Sequence, residues 1–400
     1  MLQQNPATTK PSPAAVFVAV GGLYVGQSVI GGLTFLGLPA VLRTAGLPLD
    51  QISLLYLVVL PWALKFLWSP HVERYRLPPV GRNRSRVIVG TGIAACACGL
   101  AVLAFTGPSP VSVAIAILSV IALVTATVDI ACDGYAVETL AEEHHGWGNA
   151  AQVGGSYLGS AIGAGLFLVL VDRAGWTSAT LVMAGLVILL ALPFLLGPAA
   201  RTVPQTRDHL PSIKNALKRR EVRTGLLVAA VYVAAQKWGL AMLGPFLVDY
   251  GFDLATIGAL NGVGSMIVGF AGALLGGTLV RLYGASRILL IAIFVQTALL
   301  CLFAYFSVHR DISQWVVMAV AVASSSGIMS IGFVALYACF MGWSDPRQAG
   351  VDFTLFQCMD GVVGMIGGLG AGAIAEKFGY QAPSSLPPSF RCSPHRSSSC

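Results

Sequence analysis

The sequence predicts an all-α polytopic membrane protein, a helix bundle made of two related halves. Three observations carry this expectation. Hydrophobic residues make up 56% of the 400-residue chain and charged ones only 10%. The apolar residues gather in long runs, and the basic residues collect in the short connections between them. A soluble domain carries about 25% charged residues, whereas every ion held at bilayer depth costs several kcal/mol. Lipid as the surrounding solvent explains the difference. The 46 glycines fit the same picture, because small residues let helix backbones approach closely in lipid.

A bilayer crossing takes about 20 mostly apolar residues. Runs of that kind lie near 14–42, 50–69, 86–106, 110–137, 148–171, 176–198, 223–248, 254–280, 286–307, 313–341 and 348–376, eleven in all. The first is too long for a signal-peptide core and lacks a clear cleavage site, so it is read as a retained helix. The connection after the second run holds Arg74, Arg76, Arg82, Arg84 and Arg86, and the segment after the sixth holds Arg201, Arg207, Lys214, Lys218, Arg219, Arg220 and Arg223. Lys10, Arg281, Arg287 and Arg347 fall on the same side, against Arg43, Arg173, Arg310 and Lys377 on the other. Excess Lys and Arg face the cytoplasm, which places the N-terminus and the long central connection there. The net charge of +7 therefore reads as membrane orientation, and no nucleic-acid partner is expected.

The two halves repeat. Pro39, Gly46, Leu49, Ile52 and Leu55 around the end of the first run are echoed by Pro245, Gly251, Leu254, Ile257 and Leu260 around the end of the seventh. Asp172-Arg173-Ala174-Gly175-Trp176 is echoed by Glu376-Lys377-Phe378-Gly379-Tyr380. The expected organisation is a six-helix half over 1–198, a basic cytoplasmic linker over 199–222, and a second half over 223–380 with five crossings. A Ser- and Pro-rich segment, 381–400, stands where a twelfth crossing would fall. An inverted or parallel repeat normally has complete halves, so this tail is expected to be an artefact of truncation or reading frame.

Six of the eight cysteines lie in apolar runs, and Cys96 and Cys98 would point to different sides of a helix. No zinc-type spacing or disulfide framework appears, so no metal site and no cofactor are expected. Gly155, Gly159 and Gly163 recur every four residues, a helix-contact spacing rather than a nucleotide loop. No P-loop string is present, which leaves an ion gradient as the driving force. No nucleophile–base constellation points to an enzyme. A membrane-embedded sensor is the alternative of another class, but no soluble output domain fits between the runs.

Ionisable groups at depth are the candidates for function, because they are costly unless paired or used. Asp129 and Asp133 are four apart, on one helix face. Two close acids repel, so one is expected to keep its proton near neutral pH, as a relay requires. Lys65, at comparable depth, is expected to pair with Asp129 or Asp133. Lys237, midway along the seventh run between Gln236 and Trp238, offers a cation for an anionic solute. Asp360, deep in the last run, either neutralises Lys237 or joins the relay. Tyr24, Gln27 and Tyr337 are further solute contacts. Glu138 reads as solvated, and Trp62, Trp68 and Trp343 as interface anchors.

The string from Pro61 to Arg74 (PWALKFLWSPHVER) resembles the second-span signature of AmpG-like permeases in the major facilitator superfamily. Asp129-Ile-Ala-Cys-Asp-Gly-Tyr-Ala-Val-Glu138, Gly148 to Gly155 and Gly244-Pro-Phe-Leu-Val-Asp249 fit the same group. The resemblance implies a twelve-helix, 6+6 plan with helices 1, 4, 7 and 10 around a central cavity. Within the group, the wording from Thr127 to Tyr135 looks closest to siderophore importers of the rhizobactin/pyochelin type. By resemblance, the solute would be a ferric siderophore entering the cytoplasm across a bacterial inner membrane. Proton drive is expected from the buried acids, and a monomer is one assembly open to the chain, whose oligomeric state the sequence does not reveal. A muropeptide–proton symporter is the alternative within the group.

Overall fold

A computed structural model describes residues 12–197, 205–206, 209–240, 243–253, 256–257, 260–309 and 311–377. The tail expected at 381–400 lies outside them. Helix α1 (Pro13–Thr44) opens with Pro13 at its first position, and the Ser12 hydroxyl accepts from the Ala15 N–H at 3.3 Å. Helix α2 runs from Gln51 to Arg76 and bends by 61° at Trp68. Pro61 and Pro70 each remove a backbone donor, and tight 3₁₀ turns occupy Leu54–Val59 and Lys65–Leu67. Helices α3 (Ser85–Thr106) and α4 (Val111–Thr139) follow.

One long helical stretch, Glu142–Leu196, contains two crossings. It is broken by Gly175 at φ 79°, a left-handed conformation that a side chain disfavours. We name the parts α5 (142–174) and α6 (176–196). The second half comprises α7 (Arg220–Leu240), α8 (Gly262–Tyr283), α9 (Ala285–Val308), α10 (Gln314–Trp343) and α11 (Ala349–Lys377). Gly46 and Gly251, equivalent in the sequence repeat, both have positive φ, 84° and 100°.

Seven described helical stretches are long and apolar enough to cross a membrane, eight with the bent α2. Large apolar side chains such as Val120, Leu189, Phe294 and Trp315 point outward and are well exposed. A surface of that kind fits contact with lipid.

Glycines set the closest contacts. A Cβ at Gly159 would lie 2.4 Å from the Val25 carbonyl oxygen, and one at Gly163 would lie 2.1 Å from that of Val29. The four-residue glycine spacing is thus the seam between α5 and α1. The halves meet along α5 and α8, where a Cβ at Gly277 would come within 2.8 Å of Ala150 Cβ, and where α11 packs on α2 and α4.

The only strand pairing among the described residues is a two-residue antiparallel one, of Val80–Gly81 with Gln205–Thr206. It ties the linker to the connection after α2. Further along, Arg74 donates to the Pro211 carbonyl at 3.0 Å, and His209 Nε2 sits 2.9 Å from Gln348 Oε1. Arg219 donates to the Trp343 carbonyl at 2.9 Å and pairs with Asp352. The basic linker is therefore fastened to both halves.

Candidate solute cavity and buried ion pairs

A cavity of about 720 Å³ lies in the middle of the bundle, in the size range of small-molecule sites. Its lining comes from α1, α2, α4, α5, α10 and α11. Helices 1, 4 and 10 were expected there, and 2, 5 and 11 were not. Among the described residues α7 contributes no lining side chain. The π-helical turn Leu33–Gly37 of α1 widens that helix and turns Thr34, Phe35 and Leu36 to the cavity. Phe35, Trp62, Tyr157, Phe333 and Tyr337 give aromatic walls, and Gln27, Gln152, Ser156 and Ser160 give polar ones.

The cavity floor is charged. Lys65, 2% exposed, pairs with Asp129, also 2% exposed. Of the two partners open to Lys65 on sequence grounds, the structure selects Asp129. The same ammonium donates to Gln357 Oε1 on α11 and lies 5.1 Å from the Trp62 ring centre. Gln357 gave no signal in the sequence, being a neutral amide in an apolar run. Asp133, one turn beyond Asp129, accepts from the Tyr24 hydroxyl at 2.7 Å. Its other oxygen, Oδ2, is buried without a donor.

A second pair stands in the other half. Lys237 Nζ lies 2.8 Å from Asp360 Oδ1, with side chains 34% and 19% exposed. Asp360 lines the cavity and brings Lys237 to its edge. Gln236 is buried and donates to the Tyr232 hydroxyl at 3.2 Å, away from the lining, and its Oε1 lacks a partner. The Trp238 side chain lies outside those described. The structure thus gathers Tyr24, Gln27, Lys65, Asp129, Tyr337 and Asp360 around one space, with Asp133 one hydrogen bond behind it.

Below this floor, toward the arginine-rich connections, the halves close. Arg76 is fully buried and forks onto Glu73 with two bonds of 2.7 Å. It also donates to Glu138 at 2.9 Å, and Asn83 donates to the same carboxylate at 3.0 Å. Glu138 is therefore bound on one side while its side chain stays 30% exposed. The Gly350 N–H at the start of α11 donates to Glu73 at 3.2 Å, joining the halves. A Cβ at Gly350 would lie 2.5 Å from Glu73 Oε2. These charges went unnoticed as a network because in sequence they read as loop charges that set orientation.

The three tryptophans expected as interface anchors each touch protein. Trp62 lines the cavity, Trp68 donates to Thr127 at 3.1 Å, and Trp343 packs edge-on against Phe356. Each indole has a protein partner that the sequence alone does not reveal.

A bundle of long apolar helices around a central cavity with buried ion pairs is the architecture of a multi-pass membrane protein, and the chain's family and relatives make it a transporter and not an enzyme. The chain belongs to the Major Facilitator Superfamily, whose family model matches residues 15–327. It is 28% identical over 350 residues to the anhydromuropeptide permease of Escherichia coli K12, covering 86% of this chain and 71% of that protein. It is 22% identical over 377 residues to the putative transporter AmpG 4 of Rickettsia conorii, covering 90% and 89%.

Solved structures share the fold. A bacterial homologue of the iron transporter ferroportin in the outward-facing state aligns with TM-score 0.68 at 14% identity, over 91% of this chain and 92% of that one. The Escherichia coli fucose:proton symporter aligns with TM-score 0.61 at 18% identity, over 92% and 94%.

These relatives correct the expected solute. The ferric-siderophore reading, drawn from the wording of one helix, is overturned by similarity along most of the chain to a permease named for anhydromuropeptides. The siderophore partner falls with it.

Proposed function

We propose that the chain imports an anhydromuropeptide, a sugar bearing a short anionic peptide, across a bacterial inner membrane in symport with protons. The observation that carries the reading is the cavity itself: aromatic walls above a floor where a buried cation and two carboxylates meet. The likeness to the Escherichia coli permease supports the solute class.

Each part has a task. Trp62, Tyr157 and Tyr337 offer flat faces to sugar rings and Gln27 a free amide, since its Nε2 is buried without an acceptor. Lys237 attracts a peptide carboxylate, which can take the place of Asp360 in a half-exposed pair. Asp129 is offset by Lys65, so Asp133 carries the charge without a counter-ion. A proton on the unpartnered Asp133 Oδ2 removes that charge.

The arginine-rich connections support a cytoplasmic N-terminus. In that orientation the closed end at Arg76 faces the cytoplasm and the cavity opens outward, ready to load. The test is uptake of a radiolabelled anhydromuropeptide into cells lacking their own permease. Uptake should rise with external acidity, collapse with a protonophore and vanish in Asp129→Asn protein that still reaches the membrane. Uptake indifferent to the protonophore would sink the symport reading.

A further inference from the structure

We propose that Gln357 is a positioning residue that ties the charge of the Lys65–Asp129 pair to the contact between the two halves. The inference rests on the proton-symport reading and supplies the device by which movement of the halves changes proton occupancy.

The Lys65 ammonium is held from opposite halves. Asp129 on α4 belongs to its own half, and the side-chain carbonyl of Gln357 on α11 belongs to the other. The neighbouring Cys358 thiol approaches the Trp62 carbonyl at 3.8 Å, so α11 is docked on the bent part of α2 at this level. Gln357 is neutral. It can leave Lys65 without stranding a charge on α11, which a carboxylate in its place could not do.

The groups facing the pair come from four helices. They are Tyr24 on α1, Cys132 and Asp133 on α4, Tyr337 on α10, and Cys358 and Asp360 on α11. Of these, Asp133 is the acid that shares a helix face with Asp129.

While the halves are docked here, Lys65 divides its hydrogens between Asp129 and Gln357. Carriers of this plan rock one half against the other around a fixed site, so opening the closed end draws α11 away from α2. Lys65 then loses Gln357 and turns wholly to Asp129 and Asp133. An undivided cation beside the acids favours the ionised form of Asp133, and its proton leaves toward the newly opened side. By linkage, a proton on the acids frees Lys65 for Gln357 and favours the docked arrangement. The amide thereby makes proton affinity differ between the two states, which coupling requires.

The test uses the full-length protein in proteoliposomes, with uptake of a radiolabelled anhydromuropeptide measured against external pH. Exchange of the same solute without a gradient checks that the cavity is intact. Gln357→Leu gives Lys65 entirely to the acids in the docked state. Its uptake midpoint should move about one pH unit toward acid. Gln357→Glu draws Lys65 away and adds a negative charge, and its midpoint should move by a similar amount toward alkali. Gln357→Asn, with the amide one carbon short, should give a smaller acid shift and serves if the leucine variant fails to reach the membrane. A residue that merely packs would lower the rate in each variant with the midpoint unmoved, and that result overturns the proposal. If the wild-type protein itself shows no pH midpoint, the symport reading fails and takes this inference with it. A normal wild-type profile with unmoved variants removes this inference alone.

Discussion

At the scale of single residues, the strongest constraint is charge without water. Lys65 and Asp129 are each 2% exposed, and a buried pair broken on one side costs about 3–5 kcal/mol. Lys65→Met should therefore lower the melting temperature of the detergent-solubilised protein sharply, because Asp129 is left alone. The double variant Lys65→Met/Asp129→Asn removes both charges. It should recover most of the lost stability and none of the proton-driven uptake. A double variant no more stable than the single one would mean that compensation of charge is not what the pair supplies.

Outside the bilayer the same logic yields a pH dependence. Asp345, in the connection between α10 and α11, is pushed up by partial burial. Hydrogen bonds from Arg347 outweigh this and hold it below its ordinary value of 3.8. A carboxylate depressed on folding stabilises the connection above pH 3.8 and loses that effect as pH falls through the lower folded value. The Arg347 and Gln348 amides, which donate to Asp345, should lose protection against exchange, relative to the intrinsic rate, in that acid range, and Arg347→Ala should move the onset of that loss at Gln348 to higher pH.

At the scale of elements, backbone contact decides what a helix tolerates. A side chain at Gly163 would collide with the Val29 carbonyl at 2.1 Å, whereas Gly165, two residues on, has nothing within 4 Å. Gly163→Leu should prevent α5 from seating on α1 and lower the yield of folded protein severalfold by size-exclusion chromatography. Gly165→Leu should leave the yield unchanged. Equal losses from both would remove the seam argument.

This seam was legible in the sequence, since small residues every four positions on an apolar helix have few other uses. The helices were legible for a similar reason: lipid allows few charges, so their absence marks each crossing. The 61° bend of α2 was not, although Pro61 and Pro70 were in view, because a proline shows where a helix can break and not how far it turns. The site divides the same way. Lys65, Asp129 and Asp133 were visible as ions where ions are costly, but Gln357, without charge, was not. Arg76 and Glu73 were hidden among loop charges although both are fully buried. Local sequence distinguishes lipid from water, and it does not report which helix of the other half will close over a side chain.

At the scale of the whole molecule, the proposed transport requires two arrangements of the halves that differ by only a few kcal/mol. The observed one is shut where the Gly350 N–H reaches Glu73. A methyl group at Gly350 would lie 2.5 Å from Glu73 Oε2 and 2.9 Å from the Ile130 carbonyl. Neither neighbour has room to yield, since the Glu73 carboxylate is pinned by Arg76 and the carbonyl belongs to α4. Gly350→Ala therefore penalises the shut end specifically, and each 1.4 kcal/mol, roughly, changes the ratio of the two arrangements tenfold. A membrane-impermeant thiol reagent can read that ratio. Added from the periplasmic side, it should label a cysteine placed at Ser28 on the cavity wall in the parent protein, and label it several times more slowly once Gly350→Ala is added. A cysteine at Thr354, buried on α11 near the closed end, should show the opposite change when the reagent is added from the cytoplasmic side. Parallel loss of labelling at both positions would indicate a collapsed bundle, and unchanged labelling at both would show that Gly350 does not govern the closed end.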